Sequence, residues 1–128
     1  DYIHLLGSRN QVELRQLYAQ TDIFVLASVT AADGDMEGQG LVLQEAQASG
    51  LPVVSTWHNG IPEGVLIDQS AFLVPEKDVN AIGEKIAYLV THPTQRQQMG
   101  QAGQAFVKDH FDLQILNQQL LALYQSLL

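Results

Sequence analysis

Apolar positions in this chain fall into short continuous runs separated by stripes at helical spacing. Tyr2-Ile3-His4-Leu5-Leu6, closed by Gly7, reads as a short strand ending in a turn. Asn10 with Glu13 three residues on has the spacing of a helix N-cap and its reciprocal partner, and Leu14, Leu17 and Tyr18 then share one face. Asp22 to Ala27 (DIFVLA) is a continuous apolar run of strand length, the pattern of a strand buried on both faces of a parallel sheet. Ala31 to Gly40 is small, acidic and glycine-rich, and predicts a loop. Leu41 to Ser49 follows as a short helix, with Gly50 where a left-handed C-terminal cap belongs. Pro52 to Thr56 is the next strand, His58 to Pro62 the next loop, and Ala71 to Val74 a further strand closed by Pro75.

The remainder is helical. Asp78 is placed to cap a helix with Val79, Ile82, Ile86, Leu89 and Val90 on one face, stopped by Pro93. A second segment from about Thr94 to His110 turns Met99, Ala102 and Phe106 inward. Asp112 then caps a last helix whose stripe of Leu113, Leu116, Leu120, Tyr124 and Leu127 reads as core or interface. Strands alternating with helices predict an α/β fold with a mostly parallel sheet and flanking helices.

Composition narrows the function classes. At 128 residues and 46% apolar content the chain makes one globular domain. A net charge of −8 argues against nucleic acid, or an anionic membrane held by bulk electrostatics. Any phosphate-bearing ligand must therefore be held by local geometry. The absence of cysteine excludes disulfides and thiolate metal sites and fits a cytoplasmic location. No apolar run approaches the ~20 residues that span a bilayer. The chain opens on Asp1 rather than methionine, as a piece of a longer protein would.

Chemistry concentrates between Glu37 and Glu45, in the run EGQGLVLQE. A helix start presents unpaired N–H groups and the positive end of the macrodipole, so it can hold a phosphate without lysine. With the helix beginning near Gly40, the amides of Gly40, Leu41 and Val42 face such a group, while Gly38 and Gly40 allow close approach. Glu37 stands just outside, and Glu45 lies one turn in, roughly 8 Å from Gly40. Two carboxylates would thus bracket a diphosphate, each accepting from the vicinal hydroxyls of a flanking sugar. Spacing alone fits a loop carboxylate and a solvated helix residue equally well.

The order of motifs adds to this reading. EGQGLVLQE, then AQASGLPVVST, then NGIPE, with DIFVLASVTAADGDMEG before and AFLVPEKDVNAIGEKIAYLVTHP after, resembles glycosyltransferase family 4 and its GT-B relatives. Within that family, SVTAADGDMEG and STWHNGIPE look most like bacterial exopolysaccharide transferases of the colanic-acid type. The resemblance implies a Rossmann-like domain spanning 1–128, the nucleotide-sugar-binding C-terminal half of a GT-B enzyme. It implies that the first two strands of that domain, and the acceptor-binding domain, belong to chain preceding Asp1.

The resemblance also implies roles. Glu37 would contact the donor sugar hydroxyls as the catalytic residue. The amides around Gly38, Gln39, Gly40, Leu41 and Val42 would hold the sugar or diphosphate, and Glu45 the ribose. Gly7, Ser8 and Arg9 would lie by the nucleobase. Transfer would proceed from a nucleoside diphosphate sugar to a glycan or lipid-linked acceptor, with retention and without a metal. The location would be cytoplasmic, with peripheral contact at the inner face of the membrane open to the full-length protein.

Three departures stand out: Ala27 precedes Ser28 where proline is common, Gln47 replaces a usual buried methionine, and the basic pair that neutralises the diphosphate is matched by neither Arg9 nor Arg15. The 128 residues alone are therefore expected to be inactive.

Other residues carry less. His58, beside Gly60, fits the rim of a donor pocket or a structural role equally well. The histidines lack zinc spacing, and Asp33 and Asp35 lack the further ligands of a calcium loop. No serine sits in a nucleophile elbow. Two alternatives remain: a GT-B sugar-nucleotide epimerase, and a non-catalytic donor-like module that binds a protein partner. Because the first strand would lack its usual neighbours, the isolated domain is expected to rearrange that strand or self-associate through an exposed edge.

Overall fold

The computed structural model describes residues 2–127. Asn10 opens α1 (Gln11–Gln20): its side chain accepts from the amides of Val12 and Glu13, while Glu13 reaches back to the Asn10 amide, each at 3.0 Å. The expected reciprocal cap is present. There follow β1 (Phe24–Leu26), α2 (Leu41–Ala48), β2 (Val53–Thr56), a 3-10 turn (Ile61–Gly64), β3 (Ala71–Val74), α3 (Val79–Thr91), α4 (Pro93–Phe111) and α5 (Leu113–Ser126). Asp78 caps α3 through the Ala81 amide, and Asp112 caps α5 through the Gln114 amide. Pro93 opens α4 in its first turn, where a missing N–H costs nothing.

The three strands pair in parallel in the order β1-β2-β3, with Val25 beside Val54 and Val54 beside Phe72. Central β2 is buried throughout, as a strand covered on both faces must be. On one face Leu43 and Ala46 of α2 pack with Val53, Ala71 and Ile61, joined by Tyr18, Phe24 and Leu26. On the other, Val54 and Phe72 meet Leu89 of α3 and Met99 of α4, joined by Ile82 and Ile86. The α/β expectation holds.

Four expectations do not. Tyr2 to Leu6 form no strand: Tyr2, Ile3 and Leu5 are largely exposed, because no neighbouring strand accepts their backbone bonds. β1 is shorter than Asp22 to Ala27 and is not buried on both faces. It lies at the sheet edge and leaves Val25 40% exposed. On α3, Val79 and Val90 lie outside the inward stripe of buried Leu89 and partly buried Ile82 and Ile86. Finally, Leu113, Leu116, Leu120, Tyr124 and Leu127 of α5 are all exposed, so among the described residues the core half of that reading fails, while its interface half is untouched. No helix of the described residues is long and apolar enough to cross a membrane.

Candidate functional site

The side chains that matter stand just past the carboxyl ends of the strands, where open α/β sheets gather their binding loops. Ser28, His58 and Glu76 each lie two residues beyond β1, β2 and β3. The strand ends are stitched together by the Ser55 hydroxyl donating to the Leu26 carbonyl at 2.7 Å and the Thr56 hydroxyl donating to the Ser28 carbonyl at 2.6 Å.

Glu37 is held on every polar group of its backbone and on one carboxylate oxygen. Its amide donates to His58 Nε2 at 3.2 Å, its carbonyl accepts from the Asn59 side-chain amide at 2.7 Å, and Oε2 accepts from the Ser28 hydroxyl at 2.6 Å. The loop residue itself is exposed, so the carboxylate is fixed and still open to solvent.

Gly40 then turns the chain into α2 with φ +68 and ψ 74, a left-handed geometry that strains any side-chain-bearing residue. A Cβ there would also stand 3.4 Å from Leu26 and Leu43 and 3.5 Å from Glu37 Oε1. The cap offers no side-chain acceptor, and Leu41 and Val42 precede any intrahelical partner, which leaves their amides available. Gly60 supports this turn from behind: a Cβ on it would meet the Gly38 carbonyl at 3.2 Å.

Glu45 lies half-buried on the α1 side of α2, where the Tyr18 hydroxyl donates to Oε2 at 3.1 Å. Burial first, and the Glu45 carboxylate second, raise the Tyr18 phenol above its ordinary 10.0. A shallow hollow of about 240 Å³ is lined by Gln11, Arg15, Tyr18 and Glu45. Gly7, with φ +67, leads into the start of α1, where Arg9 is engaged with Glu13 at 3.3 Å; Ser8 and Arg9 are exposed. A larger hollow, about 630 Å³, lies between Ala48 and Gln101, Gln104, Lys108 and Phe111, and contains none of the expected site residues.

The structure thus joins Glu37, Gly38, Gly40, His58 and Gly60 into one cluster and Glu45 into another with Tyr18. His58 is not at a rim. It is 1% exposed and sits behind the Glu37 loop, its Nδ1 2.6 Å from Glu76. Glu76 also accepts from the Thr30 amide at 3.0 Å. Those two bonds, the Thr30 one the larger, hold its carboxyl below the ordinary 4.5. The sign follows: the strap from Thr30 to Glu76 is intact above the ordinary carboxylate range and is released as pH falls through the depressed value.

Tyr18, Ser28, Asn59 and Glu76 were not among the expected site residues; Ser28, Asn59 and Glu76 sit in the runs SVTAADGDMEG, NGIPE and AFLVPEKDVNAIGEKIAYLVTHP, but nothing in those runs assigns them a role, and Tyr18 reads only as part of an apolar helix face. Gln47, the departure from an expected methionine, is fully buried and satisfied. Its amide nitrogen donates to the Gly64 carbonyl at 2.8 Å, and its oxygen accepts from Ser70 at 2.7 Å. Among the described residues, no group of three or more histidine, aspartate or glutamate side chains is arranged to hold a metal ion.

Helices on both faces of a parallel sheet, with loops gathered at the strands' carboxyl ends, define a Rossmann-like α/β domain. The chain belongs to the glycosyl transferases group 1 family, whose profile matches residues 1–106. It is 39% identical to WcaL of Escherichia coli K12, named for a glycosyltransferase of colanic acid biosynthesis, over 99% of this chain and 32% of WcaL. It is equally similar, at 39%, to the amylovoran biosynthesis glycosyltransferase AmsK of Erwinia amylovora, over 99% of this chain and 31% of AmsK. The chain therefore spans about a third of the length of these relatives. Among solved structures, Anabaena HepE in complex with UDP-glucose matches with a TM-score of 0.79 and 26% identity, over 94% of this chain and 31% of HepE. HepE in complex with UDP and glucose matches with a TM-score of 0.83 and 25% identity, over 98% of this chain and 32% of HepE. The fold is that of the GT-B glycosyltransferases, and the three-stranded sheet is part of one Rossmann-like domain.

Proposed function

We propose that the full-length protein transfers a hexosyl unit from a nucleoside diphosphate sugar to a glycan or lipid-linked acceptor with retention of configuration. This chain supplies donor binding. The observation that carries the reading is the helix start at Gly40, with two amides unpartnered among the described residues between a fixed Glu37 and a Tyr18-anchored Glu45. A diphosphate on the Leu41 and Val42 amides places one sugar by each carboxylate, and each carboxylate accepts from vicinal hydroxyls. Glu37 takes the donor hexose, Glu45 the ribose, and the turn at Gly7 to Arg9 the base.

Two likenesses support this assignment. HepE, of the same fold, holds UDP-glucose, and WcaL and AmsK are named for exopolysaccharide synthesis. The diphosphate's charge exceeds what two amides neutralise, so basic residues from the rest of the full-length protein complete the site, as does its acceptor-binding domain. On this reading the 128 residues alone bind donor weakly and transfer nothing. No metal takes part, and the reaction runs on the cytoplasmic side, at the inner membrane face where the acceptor is lipid-linked.

The test offers the full-length protein a panel of uridine and guanosine diphosphate hexoses with an oligosaccharide acceptor, and reads the product's anomeric proton coupling by NMR. The expected product keeps the donor's anomeric configuration, at a rate unchanged by EDTA. An inverted product contradicts retention, and activity lost to EDTA and restored by a divalent ion contradicts the metal-free reading.

A further inference from the structure

The imidazole of His58 is fully buried, and both ring nitrogens are engaged at the centre of the site. The Glu37 amide is only a donor, so Nε2 must be the bare, accepting nitrogen. The ring proton then sits on Nδ1 and is donated to Glu76 at 2.6 Å. Glu76 is in turn fixed by the Thr30 amide at 3.0 Å, with the Thr30 hydroxyl 3.5 Å away. One side chain therefore joins the loops after all three strands. Nothing in the proposed donor contacts uses this ring directly; burial requires both its nitrogens to be paired, and the partners it takes are the Glu37 amide and Glu76.

We propose that His58 is a positioning residue, locked by Glu76 in its Nδ1–H tautomer so that bare Nε2 holds the Glu37 backbone, and with it the sugar-facing carboxylate. Glu76 acts one step further back. By accepting from Nδ1–H it selects the tautomer, as carboxylates do behind histidines that must present one nitrogen. The opposite tautomer would point Nε2–H at the Glu37 N–H, donor against donor, and push the loop away from Ser28 and Asn59. The consequence for turnover rests on the donor-binding reading; the tautomer itself does not.

Two measurements on the full-length protein test this. The first is the ¹⁵N–¹H correlation pattern of the His58 ring in the wild type, expected to show a protonated Nδ1 and a bare Nε2. A ring protonated on Nε2 overturns the proposal whatever the variants do. The second is kinetic. His58→Ala is expected to lower kcat at least tenfold, with donor KM changed less than threefold. His58→Gln, whose amide oxygen can accept from the Glu37 N–H, is expected to recover most of that loss. Glu76→Gln, which lets the tautomer reverse, is expected to fall between them. An unchanged kcat in His58→Ala, or no recovery in a folded His58→Gln, contradicts the proposal. Glu37→Ala run alongside separates the two readings. If transfer survives it, the donor assignment fails, while the ring pattern still decides the tautomer.

Discussion

Gly100→Ala is expected to destabilise the domain by about 3 kcal/mol, at the upper end of what overpacking costs. A Cβ at that position would stand 2.0 Å from the Gly50 carbonyl oxygen and 2.9 Å from its carbon. Those are backbone atoms of the left-handed turn that ends α2, with φ +79, so they cannot swing aside as a side chain would. α4 must instead retreat from α2. That movement also opens the packing at Gly103, where a Cβ would already lie 3.1 Å from Gln47 and 3.2 Å from Ser70. The loss outweighs the ~1 kcal/mol that alanine gains over glycine within a helix. Gly83 in α3 provides the control, since nothing lies within 4 Å of a Cβ there. Gly83→Ala should therefore stabilise by about 0.5–1 kcal/mol. Urea unfolding of both variants beside the wild type measures the contrast, and equal effects of one sign would refute this account of the α2–α4 contact.

Glu37→Gln is expected to lower kcat/KM by roughly 30- to 150-fold, the equivalent of about 2–3 kcal/mol for hydrogen bonds accepted by a charged group. The substitution is chosen for what it preserves. A glutamine oxygen still accepts from Ser28, and the backbone bonds to His58 and Asn59 are untouched, so the loop keeps its place while the charge and one acceptor oxygen are lost. A carboxylate facing sugar hydroxyls serves the transition state more than the ground state when positive charge develops on the ring, so the loss should fall mainly on kcat. Steady-state transfer kinetics decide it. A Glu37→Gln protein as fast as the wild type would remove this residue from the reaction.

How far all this was legible in the chain depended on how local each determinant is. Helix starts were readable because a cap is settled within four residues, and Asn10, Asp78 and Asp112 each cap the helix expected of them. Gly50 was readable for the same reason, as a helix end needing a left-handed residue. Strands were half-readable. DIFVLA announces a strand, but whether Val25 is covered depends on neighbours that sequence spacing does not reveal. Tyr2 to Leu6 has a strand's composition and no partner, so composition alone misleads there.

The site followed the same division. Glu37, Gly40 and Glu45 were singled out as candidates by one helix start together with the order of motifs around it. The partners that hold them were not: Tyr18 reaches Glu45 across 27 residues, Ser28 reaches Glu37 across an irregular loop, and Glu76 acts through contacts that exist only once the strands align their ends. His58 stood in a visible loop, yet its rim and structural readings stayed even until sheet topology brought Glu76 and the Glu37 amide to its two nitrogens. Gln47 read as a departure from a usual buried methionine, and only Gly64 and Ser70 make it a satisfied buried residue.

The central claim is that the start of α2 cradles the diphosphate of a sugar nucleotide, and amide chemical-shift mapping of the full-length protein tests it most directly. On titration with uridine or guanosine diphosphate, the account predicts the largest shifts at the Leu41 and Val42 amides, with Gly40 and Glu45 next. Shifts centred instead on the hollow around Gln101, Gln104 and Lys108, with Leu41 and Val42 unmoved, would contradict it.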